Sequence, residues 1–429
     1  MNKLIGCLKS HKWFVIILIA YLLVNILFFI KHPGSIFNEP ERFGEGISTY
    51  GSRDAYLYTK MAWQIINEGI YGYNTTESNA YVTPGQPFYL VAIIKIAQLF
   101  DTNHVMLYRL SNMMLNIGVL SLIYLISWSL FKKRSISIIA SLIYATHISP
   151  LHMFRAALTE IPTLFLFMLT IYLFIIALKK DKVYLYALFG IIACCTLMFR
   201  ATPAPLLLLA WGIVIYTFGF KKAVKIGFIW CIGPLVIIAP WVIRNLIVLH
   251  EFILFSSHAG GPLLAGMNAF QLQDFSILLN KTKELGITQE EYAKLLFKEG
   301  FSKDIPLYFS WFTVGKTLWL FMSPDGNPDG LGPLHGYLPE YLLSIYKWQN
   351  IVTAFGALLF AFLLRKQRII NMLCLAVLIY IVFSNMFLTL PRYGFIIYPI
   401  LAIIFGYGIV HFSARLKMKL NKQPKKAVQ

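Results

Sequence analysis

Apolar residues run unbroken through most of this chain, and polar residues gather between the runs. Ten runs come near the length of about 20 apolar residues that a membrane-crossing helix takes, and predict such helices. They cover residues 13–31, 105–131, 135–151, 160–178, 184–199, 203–219, 226–249, 348–364, 369–389 and 394–413. An eleventh run, 84–100, is apolar but short, carries Lys95 and opens with Pro84-Gly-Gln-Pro87. Its brevity and its lysine predict a re-entrant or interfacial helix. Eleven crossings is the competing count. Two stretches, 32–83 and 250–347, break the pattern with mixed polar sequence, and helices lying along the membrane are expected in both.

Composition sharpens this picture. Hydrophobic residues make up 58% of the chain and charged residues 13%, with a mean hydropathy of +0.66. A soluble domain carries about 25% charged residues, so neither an ordinary globular protein nor a disordered one fits. The formal charge of +19 could suggest nucleic acid. The placement of the charges argues against it. Twenty-one of 38 bases fall in six short clusters between the runs and at both termini, including Lys132–Arg134, Lys179–Lys182 and the tail 414–429. Basic clusters in short loops remain cytoplasmic. Sixteen of 19 acids fall in 32–83 and 250–347, which are therefore expected outside. A full crossing at 84–100 would put Lys132–Arg134 on the wrong side. The fold class expected is an all-α polytopic membrane protein forming one domain over 1–429. Its first run, basic at its start and without a small-residue cleavage site, reads as a signal anchor. The five cysteines lie in spans or at the cytoplasmic end and show no CxxC, so neither a disulfide framework nor a metal site is expected.

Chemistry is expected on the acidic face. Arg155, Arg200, Arg244 and Arg392 fall at outer ends of different spans, where the charge rule disfavours them. Their planar forks suit phosphate oxygens, although snorkelling to the interface is the plainer alternative for each alone. Two carboxylates share that face. Asp54 opens an amphipathic stretch reaching about Gly69, and Glu160 is the only acid between residues 102 and 180. They could form an acid/base site beside a phosphate. Equally, Asp54 could be a helix cap and Glu160 a first-turn residue favoured by the helix dipole. His147 and His152 have a spacing that permits a metal, but nothing completes a ligand set. His258, in Ser256-Ser-His-Ala-Gly-Gly261, lies in an outer loop that could touch substrate.

The order of these motifs resembles the membrane glycosyltransferases of the GT-C fold, in the branch of protein O-mannosyltransferases and lipid A aminoarabinose transferases. The resemblance is carried by Asp54-Ala-Tyr56-Leu-Tyr58, Tyr81-Val-Thr-Pro-Gly85-Gln-Pro87, Arg155 to Pro162, Pro240-Trp-Val-Ile-Arg244-Asn245, the Gly260-Gly261 loop with Asn268, and Pro391-Arg392-Tyr393. Two departures stand out: the second acid is Glu160 on a helix, and the chain lacks a large soluble C-terminal domain.

The resemblance implies a hexosyl- or pentosyltransferase that uses a polyprenyl-phosphate-linked sugar, with inversion, in a bacterial plasma membrane with its site on the outer face. Asp54 and Glu160 are the implied catalytic acids, and Arg392, Arg244, Arg200 and Arg155 the donor-phosphate ligands. Tyr56, Tyr81, His258, Asn268 and Tyr393 are the implied substrate contacts. The acceptor is a lipid, a glycan or a protein hydroxyl, and no cofactor, metal or nucleic acid is implied. A lipid-linked glycan polymerase or ligase, and a transporter or flippase, are the rival readings.

Overall fold

The computed structural model describes residues 11–31, 53–153, 157–322 and 340–421; among them every regular element is helical. In chain order these are α1 (Lys12–Lys31), α2 (Arg53–Glu68), α3 (Gly85–Leu99), α4 (His104–Phe131), α5 (Arg134–Ala145), α6 (Ser149–Met153), α7 (Glu160–Lys180), α8 (Val183–Phe199), α9 (Leu206–Phe218) and α10 (Phe220–Val248). There follow α11 (Gly260–Met267), α12 (Phe275–Leu285), α13 (Gln289–Lys303), α14 (305–320), α15 (Glu340–Leu363), α16 (Arg368–Asn385), α17 (Pro391–Gly394) and α18 (Tyr398–Asn421).

Each of the ten expected crossings falls on an apolar helix. Six of these helices, α1, α4, α7, α10, α16 and α18, are long and apolar enough to cross a membrane by length and composition; α5, α8, α9 and the 348–363 part of α15 are shorter. This is a polytopic all-α membrane protein. Some boundaries move. The seventh run starts at Phe220, not 226, because Gly219 takes φ +79° and lets the chain turn straight from α9 into α10. The last run starts at Tyr398, with the short α17 before it, and α18 carries the helix on into the basic tail. At about 1.5 Å per residue, the 15-residue α3 spans only about 22 Å, short of a 30 Å hydrocarbon core. One face of α3 is buried against α2 and α4, while Lys95 is exposed.

Tight hairpins set the antiparallel order. Lys132 (φ 52°) and Asp181 (φ 49°) each close a helix in the left-handed region, and an extended Lys133 or Lys182 starts the next. The main core surrounds Ile396–Ile404, packed by α1, α4, α5, α7, α15 and α16. Within it Asn116 donates to Tyr21 (2.8 Å) and Asn25 (3.0 Å) and accepts from the Tyr144 hydroxyl (2.8 Å). Such interhelical polar bonds join α1, α4 and α5 where hydrophobicity alone cannot. The crossing of α8 and α10 needs glycine on both sides. A Cβ at Gly233 would lie 2.2 Å from the Gly190 carbonyl, and one at Gly190 would lie 2.6 Å from that of Trp230.

These contacts gather the starts of α2, α3, α7 and α18, and the ends of α8, α10 and α16, at one end of the bundle. Asp54, Glu160, Arg200 and Arg392 lie there.

Candidate active site

Local sequence explains how each group reaches the site. Asp54 and Glu160 stand in the first turns of α2 and α7, where the helix dipole favours a carboxylate. Arg200 follows the last residue of α8, and Arg392 sits in α17 behind Pro391, which fixes the turn out of Leu390. Gly85 starts α3 against the end of α8, since a Cβ there would meet the Met198 carbonyl at 2.7 Å. Thr83 donates to the Phe199 carbonyl at 3.1 Å. The loop before α3 is thereby seated beside Arg200.

The four charged groups form one chain of contacts. Arg392 Nη2 lies 2.6 Å from Asp54 Oδ2, and its Nε lies 3.7 Å from Glu160 Oε1. The same Glu160 oxygen accepts from Arg200 Nη1 at 3.1 Å. Glu160 and Arg392 are sealed, with side chains 2% and 6% exposed, whereas Asp54 is 39% exposed. That exposure opens into a cavity of about 290 Å³ lined by all four groups together with Tyr58, Tyr81, His258 and Tyr393. Arg200 lies over the Tyr393 ring at 4.0 Å. The second oxygen of Glu160, Oε2, is buried without a hydrogen-bond partner.

Burial pushes the Asp54 carboxyl up, but the charge and hydrogen bond of Arg392, the Tyr73 hydroxyl and Arg200 more than offset it, leaving it below the ordinary aspartate value. Tyr73 donates to Asp54 Oδ1 at 3.3 Å, and burial together with that carboxylate holds the phenol protonated. Rings of Tyr73 and Tyr81 stack at 5.2 Å, and Tyr81 stacks on His258 at 3.8 Å with its hydroxyl 3.1 Å from Nε2. Burial lowers the His258 pKa, partly countered by Asp54, so its ring is biased to the neutral form.

Of the expected residues, then, Asp54, Glu160, Arg200, Arg392, Tyr81, His258 and Tyr393 meet in one cavity. Others lie elsewhere. Tyr58, one helical turn from Asp54, lines the cavity where Tyr56 does not. Asn268 bonds both ways to the Gln273 backbone, closing a loop turn. Arg244 lines a different cavity. Arg155 and the His152 side chain lie outside the described residues. His147 stacks on Tyr398 at 4.0 Å within the core.

Two contributors escape sequence reading. Tyr73 itself belongs to no motif that would single it out. Lys316 is fully buried in α14, donating to the carbonyls of Asn385 (2.6 Å) and Phe387 (3.0 Å). It thus holds the end of α16 and the segment leading to α17, where Phe383, Ser384, Phe387 and Leu388 wall the cavity.

Paired acids and guanidinium forks at the mouth of a membrane-helix bundle suit group transfer from a phosphate-bearing lipid. A family match over part of the chain supports a membrane glycosyltransferase. Residues 81–256 match the family model for dolichyl-phosphate-mannose-protein mannosyltransferase, a GT-C family, in agreement with the resemblance read from the motifs. None of the curated proteins matches the chain.

Proposed function

We propose that this protein transfers a mannosyl residue from a polyprenyl phosphate to a hydroxyl of a protein acceptor at the outer face of the membrane. The observation that carries this reading is the shared Arg392, bound to a part-exposed acid, Asp54, and close to a buried one, Glu160, on the wall of one cavity.

In this reading the donor phosphate enters the cavity and takes the forks of Arg392 and Arg200. Glu160, buried behind the arginines on the cavity wall, keeps both of them in place. Asp54 loses its ion-pair partner to the phosphate and becomes a stronger base beside the anomeric carbon. The acceptor oxygen forms its bond to that carbon as the bond from the carbon to the phosphate oxygen breaks. Its proton goes to Asp54, and the electron pair of the broken bond stays on the polyprenyl phosphate, where the two guanidinium groups stabilise it. One displacement inverts the anomeric centre. The Tyr73–Tyr81–His258 stack offers aromatic faces to the sugar.

The polyprenyl chain has an apolar path. A cavity of about 210 Å³ lined by residues such as Phe167, Ile171, Leu197, Pro203, Leu207 and Ile400 lies next along the chain from Arg200–Thr202 of the polar site.

Purified full-length protein in neutral detergent, given polyprenyl-phosphate mannose and a serine/threonine peptide, tests the proposal. Transfer without any membrane gradient, with the anomeric configuration inverted by NMR, is the expected result. Equal product from wild type and Asp54→Asn, or none from wild type, defeats it.

A further inference from the structure

Arg244 belongs to the helix-end sequence Pro240-Trp-Val-Ile-Arg244-Asn245, and its partners explain why that sequence folds as it does. Trp241 donates to the Phe255 carbonyl at 3.1 Å and Asn245 to that of Ile253 at 3.1 Å, so this face of α10 ties down the loop that follows it. Arg244 Nη1 reaches the Asn79 carbonyl and the Asn245 side chain, both at 2.9 Å, and Nη2 reaches the Tyr71 carbonyl at 3.5 Å. These bonds leave donors of the guanidinium unused, because it carries five N–H groups. Among the described residues no carboxylate pairs with Arg244. Its charge stands 5.1 Å from the Tyr71 ring and 5.3 Å from that of Trp241.

The space beside it is a cavity of about 500 Å³, bounded by Tyr71, Ser78, Phe88, Trp241, Arg244 and Val248. It shares no lining residue with the cavity of Asp54, and the loop from Gly69 to Pro84 separates the two. Phe88 and Val248 on its wall are 51% and 47% exposed, and Ile243 and Ile247 beside it on α10 are exposed as well. α10 is long and apolar enough to cross a membrane, so its exposed apolar side chains here suit contact with lipid. A cation that no acid neutralises, next to hydrocarbon, is costly unless an anion joins it. An amphiphile meets both needs, with its chains along α10 and its anionic head on the guanidinium fork.

We infer that the Arg244 cavity binds the phosphate headgroup of an anionic membrane lipid, at a site separate from the one proposed for the donor. Such a lipid would brace the loop between the two cavities, which carries Tyr73 against Asp54. The inference does not depend on the transferase reading.

Thermal-shift titration of the full chain in neutral detergent tests it, with short-chain phosphatidylglycerol, diacylglycerol of the same chain length, and inorganic phosphate as separate arms. Phosphatidylglycerol alone should stabilise the wild type. Arg244→Gln should weaken the apparent affinity by about tenfold, as loss of a charged hydrogen bond implies. Arg244→Gln also loosens the loops, so Ser78→Trp, which fills the cavity and leaves the Arg244 bonds in place, should abolish the shift too. Arg392→Gln should retain it. The inference is overturned by an equal response to diacylglycerol or inorganic phosphate, by no response in wild type, by a response that survives both cavity variants, or by its loss in Arg392→Gln.

Discussion

Arg392 and Asp54, 338 positions apart in sequence, meet at 2.6 Å through Nη2 and Oδ2 on the wall of one cavity, the arginine buried and the aspartate partly exposed. A buried arginine whose partner faces a ligand space can exchange that partner for a ligand. Glu160 keeps a second acid near the guanidinium throughout, so the arginine is never left without a counter-charge.

Asp54→Asn separates a base from a merely structural acid. The amide preserves size and can still accept from Arg392, so the protein should fold. Turnover should fall roughly 100- to 10,000-fold, the usual contribution of a positioned base. Donor affinity should hold or rise, since Arg392 is then less firmly held by position 54. Turnover near wild type, with donor binding measured on the same preparation, would remove Asp54 from the chemistry.

The acid limb of the pH profile carries the second prediction. In the free protein burial raises the Asp54 pKa, and Arg392, Tyr73 and Arg200 lower it by more, for a net fall. The Asp54 carboxylate thus stays ionised down through the ordinary carboxylate range and is protonated only as pH falls below it. By the same sign, the stability it contributes is present above the unfolded value and lost as pH falls through the folded one. A donor phosphate that takes Arg392 removes the main lowering influence. The acid limb of kcat should therefore lie at higher pH than that of kcat/KM. Coincident limbs in full pH–rate curves would show that Arg392 never leaves Asp54.

How far the sequence reveals such a site depends on what each residue answers to. Membrane helices answer to composition, so all ten runs are visible as apolar stretches. Arg200 and Arg392 are visible because charge at the disfavoured end of a span is rare. Arg244 satisfies the same rule but turns toward Asn79 and Tyr71, because its position on α10 follows the face of Trp241 and Asn245. Periodicity places a residue on a helix face, and only packing decides which of two adjoining cavities that face meets. Tyr58 rather than Tyr56 follows from the same helical spacing, since position 58 lies one turn from Asp54. Tyr73 depends on a loop whose course is set by Gly85 meeting α8, which no local pattern encodes.

Glu160 should behave unlike Asp54 if it holds the arginines. Glu160→Ala leaves Arg200 without its carboxylate in a buried setting, a change that typically costs about 3–5 kcal/mol. Glu160→Gln retains an acceptor for Arg200 and should cost less. In Glu160→Gln the donor KM should rise more than kcat falls, the opposite of the split for Asp54→Asn. Steady-state kinetics on both variants, with thermal unfolding as a control, decide it. A kcat loss as deep as that of Asp54→Asn, with KM unchanged, would make Glu160 the proton acceptor instead.

Lys316 lies outside every motif, yet it sets the wall that precedes Arg392. Its ammonium is fully buried, meets two carbonyl groups and lies 4.2 Å from the Phe312 ring, with no carboxylate partner among the described residues. Burial brings its pKa down to about 7. Above that value the folded protein holds one proton fewer here than the unfolded chain, whose lysine titrates near 10.4. Stability should therefore rise with pH from about 7 toward 10 through this group. Lys316→Met fills a similar volume but strands the carbonyls of Asn385 and Phe387. It should lose roughly 1–3 kcal/mol for a buried acceptor left unpaired, and its stability should lack that rise with pH. Lys316→Arg retains a donor and should recover part of the donor affinity that Lys316→Met loses. Unfolding midpoints across that pH range, with donor KM for both variants, test the assignment; a Lys316→Met protein with wild-type KM and the same pH slope would show that Lys316 does not position the wall of the site.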